Sequence, residues 1–228
     1  MSALLGSFET SYRHYKLNIV ELGPSHDHQY RHFLGEVYSK HGYSGAEHIA
    51  PPSFTRLGIL AHSGEDGTSR LAGICAVGPA PGPSQDSIVD ILEDQVELRG
   101  TKVSAATLVE LRNFAVSQPF LASPALAMLC CGASTFFTDR APNVIAYGIV
   151  RYGILRSFIA FGPLPAEMEP IHLLGDDGVD DYLIYYDLRG REGVRYLHDR
   201  FHHYCLQADK LGRIRELRKA RVCEERAV

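Results

Sequence analysis

The chain has 228 residues, is 45% hydrophobic and 22% charged, and carries a formal net charge of −4. That is enough apolar mass for one good-sized domain, or one domain plus an appendage, without staples. The negative balance argues against general nucleic-acid binding by phosphate neutralisation. Residues 194–228 nevertheless hold nine Lys/Arg against five Asp/Glu, a local +4 that leaves −8 for residues 1–193. Five cysteines, odd in number and without framework spacing, point to a reduced, cytoplasmic compartment. No signal-peptide apolar region opens the chain, and no run of 18 apolar residues predicts a transmembrane segment.

In chain order, Lys16–Leu22 alternates as a first strand that Gly23-Pro24 ends. Ser25 or Asp27 is placed to cap a helix running to about His41, with Tyr30, Phe33, Leu34, Val37 and Tyr38 on one face. Phe54–His62 and Arg70–Val77 read as strands joined by an exposed hairpin turn, SGEDGTS. A breaker loop, Gly78–Asp86, precedes a short helix over Ile88–Leu98. Thr107–Val116 reads as a long strand and Ala125–Phe137 as an apolar helix. Asn143–Gly148 is then a short strand, Ile149–Phe161 a helix, and Asp181–Leu188 a last strand. From Val194 a 3,4 spacing (Val194, Leu197, Phe201, Tyr204, Ala208, Leu211) predicts a basic amphipathic helix that packs on its own domain, on a second copy as a homodimer, or on another partner. The domain reading is residues 1–190 as one α/β domain and 191–228 as the added helix, the whole being a mixed sheet flanked by helices.

Chemistry concentrates in Thr107–Val116, where Glu110, Arg112 and Asn113 interrupt an apolar strand. Burying such groups is costly unless they are paired or face a cleft. Period-2 alternation places Glu110, Arg112 and Phe114 on one face and Leu111, Asn113 and Ala115 on the other, and makes Glu110 and Arg112 a candidate ion pair. Two histidine groups, His26/His28/His32 and His198/His202/His203 with Cys205, have ligand-like types but lack a Cys/His framework and the Glu of HExxH, so no metal is assigned. Cys130–Cys131, inside ALAMLCCGA, read as small buried hydrophobes.

Glu110, Asn113, Phe114, Ala115 and Val116 resemble the central-strand motif of GNAT-fold acyltransferases. The similarity is to the branches formed by acyl-homoserine-lactone synthases, long-chain N-acyl amino acid synthases and the thermostable hemolysin family. The aromatic segment Phe33–Tyr43 followed by Pro51–Phe54, and Arg151–Arg156 running into Phe161-Gly162, extend the resemblance over roughly residues 27 to 188. It implies an N-acyltransferase that moves an acyl group from a pantetheine thioester, on acyl carrier protein or coenzyme A, to the amine of a small amino-acid-like acceptor, with no tightly bound cofactor. It also implies roles: Glu110 as base, Tyr147 or Tyr152 as the acid for the leaving thiolate, Arg112, Asn113, Phe33 and Tyr38 towards substrate, and Phe114, Ala115, Val116, Ser117 and Ser123 towards the thioester arm. The chain departs from the GNAT pattern after the strand. SQPFLASPA has no glycine where the family's pyrophosphate loop lies, and Pro119 and Pro124 remove two N–H donors. An acyl carrier protein, whose arm needs less diphosphate recognition, is therefore the implied donor. A GNAT-fold binding module without catalysis, or a transferase using aminoacyl-tRNA, are the alternative readings.

Overall fold

The computed structural model describes residues 9–40, 49–79, 91–92, 107–121, 123–138, 141, 143–151, 155, 171–174, 180–188, 195–199, 201–203 and 205–206. The strands are β1 Thr10–Tyr12, β2 Tyr15–Leu22, β3 Thr55–Ser63, β4 Ser69–Pro79, β5 Thr107–Val116, β6 Val144–Arg151, β7 Ile171–Leu174 and β8 Asp180–Asp187. They form one sheet in the order β1-β2-β3-β4-β5-β6-β8-β7. All neighbours are antiparallel except β5 and β6, which run parallel. Helix α1, Asp27–Ser39, covers one face and helix α2, Ala125–Thr135, the other. This is the mixed α/β sheet flanked by helices that the sequence predicted.

The two helices differ because their surroundings differ. In α1 the buried residues Tyr30, Phe33 and Leu34 fall at helical spacing on one side, against Phe54, Ile74, Ala76 and Ala115. Neither Ser25 nor any other side chain caps it. Asp27 instead sits in its first turn, where the helix dipole favours an acid, and pairs with Arg31 at 2.7 Å and with Arg56 of β3. Arg56 in turn lies over the Tyr30 ring at 5.0 Å, which ties α1 to the sheet. Helix α2, by contrast, is buried at every position but Leu126, so it needs no polar stripe and ALAMLCCGAST supplies none. Burial pushes the Cys75, Cys130 and Cys131 thiols well above their usual range, as suits core packing and not nucleophiles.

Three expectations change. Ile149–Arg151 continue β6 where a helix was read from Ile149, because these residues pair with Leu183, Tyr182 and Asp181 of β8; sheet pairing overrides the local pattern. The helix read to Phe137 ends at Thr135, and β1 and β7, short strands at the two edges of the sheet, fall where the sequence reading assigns no element. Ile91 and Leu92 are helical, Leu92 buried and Ile91 partly so, while the rest of the helix read over Ile88–Leu98 lies outside the described residues. Near the C-terminus the described residues 195–199, 201–203 and 205–206 are helical. Leu197 and Phe201 are buried, and the Cys131 thiol donates to the Leu197 carbonyl at 3.5 Å.

Candidate active site

The site grows from an irregularity in β5. Ile74 of β4 pairs with Ala115 and Ala76 with Arg112, so that Asn113 and Phe114 together stand opposite Cys75. The extra residue is Asn113, held at φ +57°, a left-handed conformation that Asn tolerates better than most side chains. This bulge breaks the alternation read from the sequence. Phe114 joins Leu111 and Val116 on the α2 face, whereas Asn113 and Ala115 join Glu110 and Arg112 on the α1 face. Asn113 is fixed there by its own carbonyl oxygen, which accepts from the Ala50 N–H at 2.8 Å and the Tyr30 hydroxyl at 3.3 Å.

Glu110 is 7% exposed. Its Oε1 accepts from Arg112 Nε, and its Oε2 is buried with no hydrogen-bond partner among the described residues. The ion pair read from the sequence is present, and it satisfies half of the carboxylate. An orphaned carboxylate oxygen is costly inside a protein. Arg112 is half-exposed, and its guanidinium lies 5.6 Å from the centre of the Phe54 ring. Phe54 occupies the space that a side chain at Gly78, directly opposite Glu110 on β4, would fill.

On the other side of Glu110 the sheet opens. The parallel pairing of β5 and β6 runs from Thr107↔Val144 to Glu110↔Tyr147 and ends there. Beyond that point β5 stays with β4 and β6 with β8. Gly148 stands at the fork, where a Cβ would come within 3.1 Å of the Leu111 carbonyl oxygen. Gly148→Ala should therefore force the two backbones apart and cost on the order of 1–3 kcal/mol. A denaturant midpoint unchanged from wild type would show that the fork has slack.

Tyr147 shares the Glu110 face, being its directly paired neighbour, and is buried. Burial first, then the negative charge of Glu110, push its hydroxyl far above the usual tyrosine range, with Arg112 opposing. Burial also raises Tyr30, helped by Cys75 and Tyr38. In each of these groups the folded state holds its proton past the pH at which the unfolded chain releases it. Their contribution to stability is thus complete below about pH 8.5 for the cysteines and about pH 10 for the tyrosines, and is lost as pH rises above those values. Urea midpoints should fall between pH 8 and pH 10.5. A flat profile would contradict the burial of these groups.

The segment after β5 is closed on itself. The Ser117 N–H and hydroxyl both donate to the Ala72 carbonyl, and the N–H groups of Phe120, Leu121 and Ser123 donate to Ser117, Gln118 and Phe120. Buried Ser123 accepts from the Ala125 N–H at 3.1 Å, and Met128 donates to Pro124. Ala115, Val116 and Phe33 are buried, Phe114 and Tyr38 partly so, and Tyr152 lies outside the described residues. Of the residues read as functional, the fold brings together Glu110, Arg112, Asn113 and Tyr147 on one face. Ser117 and Ser123 lie at the far end of β5, and Phe33 and Tyr38 pack in the α1 layer. Tyr30 and Phe54, which hold Asn113 and cover Arg112, read in the sequence as a helix-face residue and the first residue of a strand. Only their aromatic type beside a polar strand hinted at more.

The C-terminal histidine cluster lies apart from this site. His198, His202 and Cys205 line a cleft of about 500 Å³ with Glu9 and Thr10, four strands away at the β1 edge. Burial lowers the pKa of His198, against the pull of Asp199. Among the described residues no group of three His, Cys, Asp or Glu is placed to hold a metal ion, and no helix is long and apolar enough to cross a membrane.

No protein-family model and no curated protein matches the chain. Among solved structures it is similar to an uncharacterized protein from Bacillus halodurans, with 8% identity over 88% of this chain and 96% of that one and a TM-score of 0.51. It is also similar to FeeM, an N-acyl amino acid synthase from uncultured soil microbes, at 17% identity, 78% and 97% coverage and a TM-score of 0.48. NAA60 of Arabidopsis thaliana, solved in complex with acetyl-CoA, matches at 15% identity, 76% and 99% coverage and a TM-score of 0.48. At these identities the likeness is one of fold.

Proposed function

We propose that the protein transfers an acyl group from a pantetheine thioester to the amine of a small, amino-acid-like acceptor. The observation that carries this reading is the unpartnered Oε2 of Glu110 at the point where β5 and β6 part. A buried carboxylate with one free oxygen at a cleft is suited to take a proton from an incoming ammonium group, directly or through one water. The neutral amine then attacks the thioester carbon, and the C–S bond breaks as the C–N bond forms. The β5–β6 pairing ends at Glu110↔Tyr147, and polarising the thioester carbonyl as its oxygen gains charge falls to backbone N–H groups that face this opening. Ser117 is not one of them, since its N–H is spent on Ala72.

Tyr147, held neutral by burial and by Glu110, donates a hydrogen bond to the leaving sulfur more readily than it surrenders a proton. One of the two protons released by the ammonium group passes through Glu110 to the thiolate, and the other leaves to solvent. Arg112, half-exposed beside Glu110, suits the acceptor's carboxylate. As donor we favour an acyl carrier protein over free coenzyme A. In the segment 117–128 the N–H groups of Ser117, Phe120, Leu121, Ser123, Ala125 and Met128 are spent internally and positions 119 and 124 are prolines, so a diphosphate gains little from them.

Incubation with acyl-coenzyme A, acylated carrier protein and a panel of amino acids, read by mass spectrometry, tests this directly. An N-acyl product is expected, formed faster from the carrier protein. No product from any donor would favour the alternative of a GNAT-fold binding module, a reading that the closed segment after β5 also suits.

A further inference from the structure

Ile149 is 44% exposed, although β6 is otherwise buried from Val144 to Gly148 and again at Val150. Strand alternation sets Ile149 on the same face as Tyr147, and therefore as Glu110. Its partner on β8 is Leu183, which is fully buried. Its other flank lacks a paired β5 residue, because the pairing of those strands has ended two residues earlier. The exposed isoleucine thus stands where the two strands part, on the Glu110 face and on the side away from Phe54.

We infer that Ile149 forms the apolar wall of a subsite in this fork and selects a substrate by a hydrocarbon group it carries. The inference rests on the transfer reading above and names the chemistry of one substrate group. Two residues along a strand and one strand across put Ile149 roughly 8 Å from Glu110, Cα to Cα. That is the reach from an amine at Glu110 to the side chain of an α-amino acid, or to the first carbons of an acyl chain. Arg112 and Glu110 supply charge on the opposite flank, so the fork offers one charged and one apolar side.

Four substrate pairs separate the two sources of the hydrocarbon: leucine or glycine as acceptor, each with a decanoyl- or acetyl-pantetheine donor. Ile149→Asp should lower kcat/KM about 10-fold or more for the pairs that place a hydrocarbon in the fork and spare the others, since one or a few methylenes discriminate on that scale. Loss confined to leucine assigns the acceptor side chain, and loss confined to decanoyl assigns the acyl chain. Ile149→Val should keep the wild-type preference. An equal change across all four pairs, or none, overturns the subsite. Should wild type form no product, the transfer reading fails while the subsite is still tested by calorimetry. N-decanoyl-leucine should bind wild type at least about 10-fold tighter than Ile149→Asp, and equal or absent binding overturns it.

Discussion

Glu110→Gln should lower the rate of N-acyl product formation by about 10²-fold or more. The substitution keeps the shape of the side chain and an oxygen able to accept from Arg112 Nε, so the ladder partners Gly78 and Tyr147 have no reason to move. It removes the basic oxygen, and with it the charge that helps to push Tyr147 up. Two readouts therefore move together. Turnover falls, and the Tyr147 hydroxyl, followed by its ultraviolet absorbance in an alkaline titration, ionises at lower pH than in wild type. Stability is expected to hold or rise, because a buried carboxylate oxygen without a partner is replaced by a neutral amide. An unchanged rate would take Glu110 out of the chemistry whatever the titration shows.

Asn113→Ala should destabilise the fold by about 3–8 kcal/mol, the largest effect we expect from a single polar truncation here. The carboxamide oxygen holds the buried Ala50 N–H and the buried Tyr30 hydroxyl, and losing it leaves both without that acceptor at about 1–3 kcal/mol each. Alanine must also adopt φ +57°, which costs an ordinary residue about 1–2 kcal/mol. Asn113→Gly pays the first cost and avoids the second, so it should lie about 1 kcal/mol above Asn113→Ala in urea denaturation. Equal losses would mean that the backbone conformation carries no strain. A loss below about 1 kcal/mol for alanine would mean that neighbouring groups or water replace the carboxamide.

Much of this architecture is legible in the residues. The strands β2, β3, β4, β5 and β8 and the helices α1 and α2 follow from period and breakers alone, within two residues at most ends. So does the unusual polarity of β5, since Glu110, Arg112 and Asn113 stand out against the apolar residues around them. The facing of those groups does not follow. Nothing in TLVELRNFAV marks Asn113 as the residue that takes a left-handed turn, because the turn is stabilised by Tyr30 and Ala50, 83 and 63 residues away. With plain alternation Asn113 faces α2 and Phe114 faces α1, and the bulge exchanges them. The end of β6 was equally hidden. Ile149 and Val150 suit a helix or a strand, and the choice is made by β8, more than 30 residues later. The missing glycines after β5, on the other hand, were visible at once, and the closed hydrogen bonds of Ser117 to Met128 are their physical counterpart.

The ring of Phe54 has a further consequence. It fills the space over Gly78 on the β4 side of Glu110 and lies under the Arg112 guanidinium. The carboxylate is thereby shuttered on one flank, so in the proposed reaction an acceptor comes in from the β6 flank. A molecule that meets a carboxylate, a guanidinium and an apolar wall from a single direction cannot be replaced by its mirror image, since only one hand can satisfy all three. In this way an aromatic ring that never touches the reacting atoms would make the site a judge of chirality.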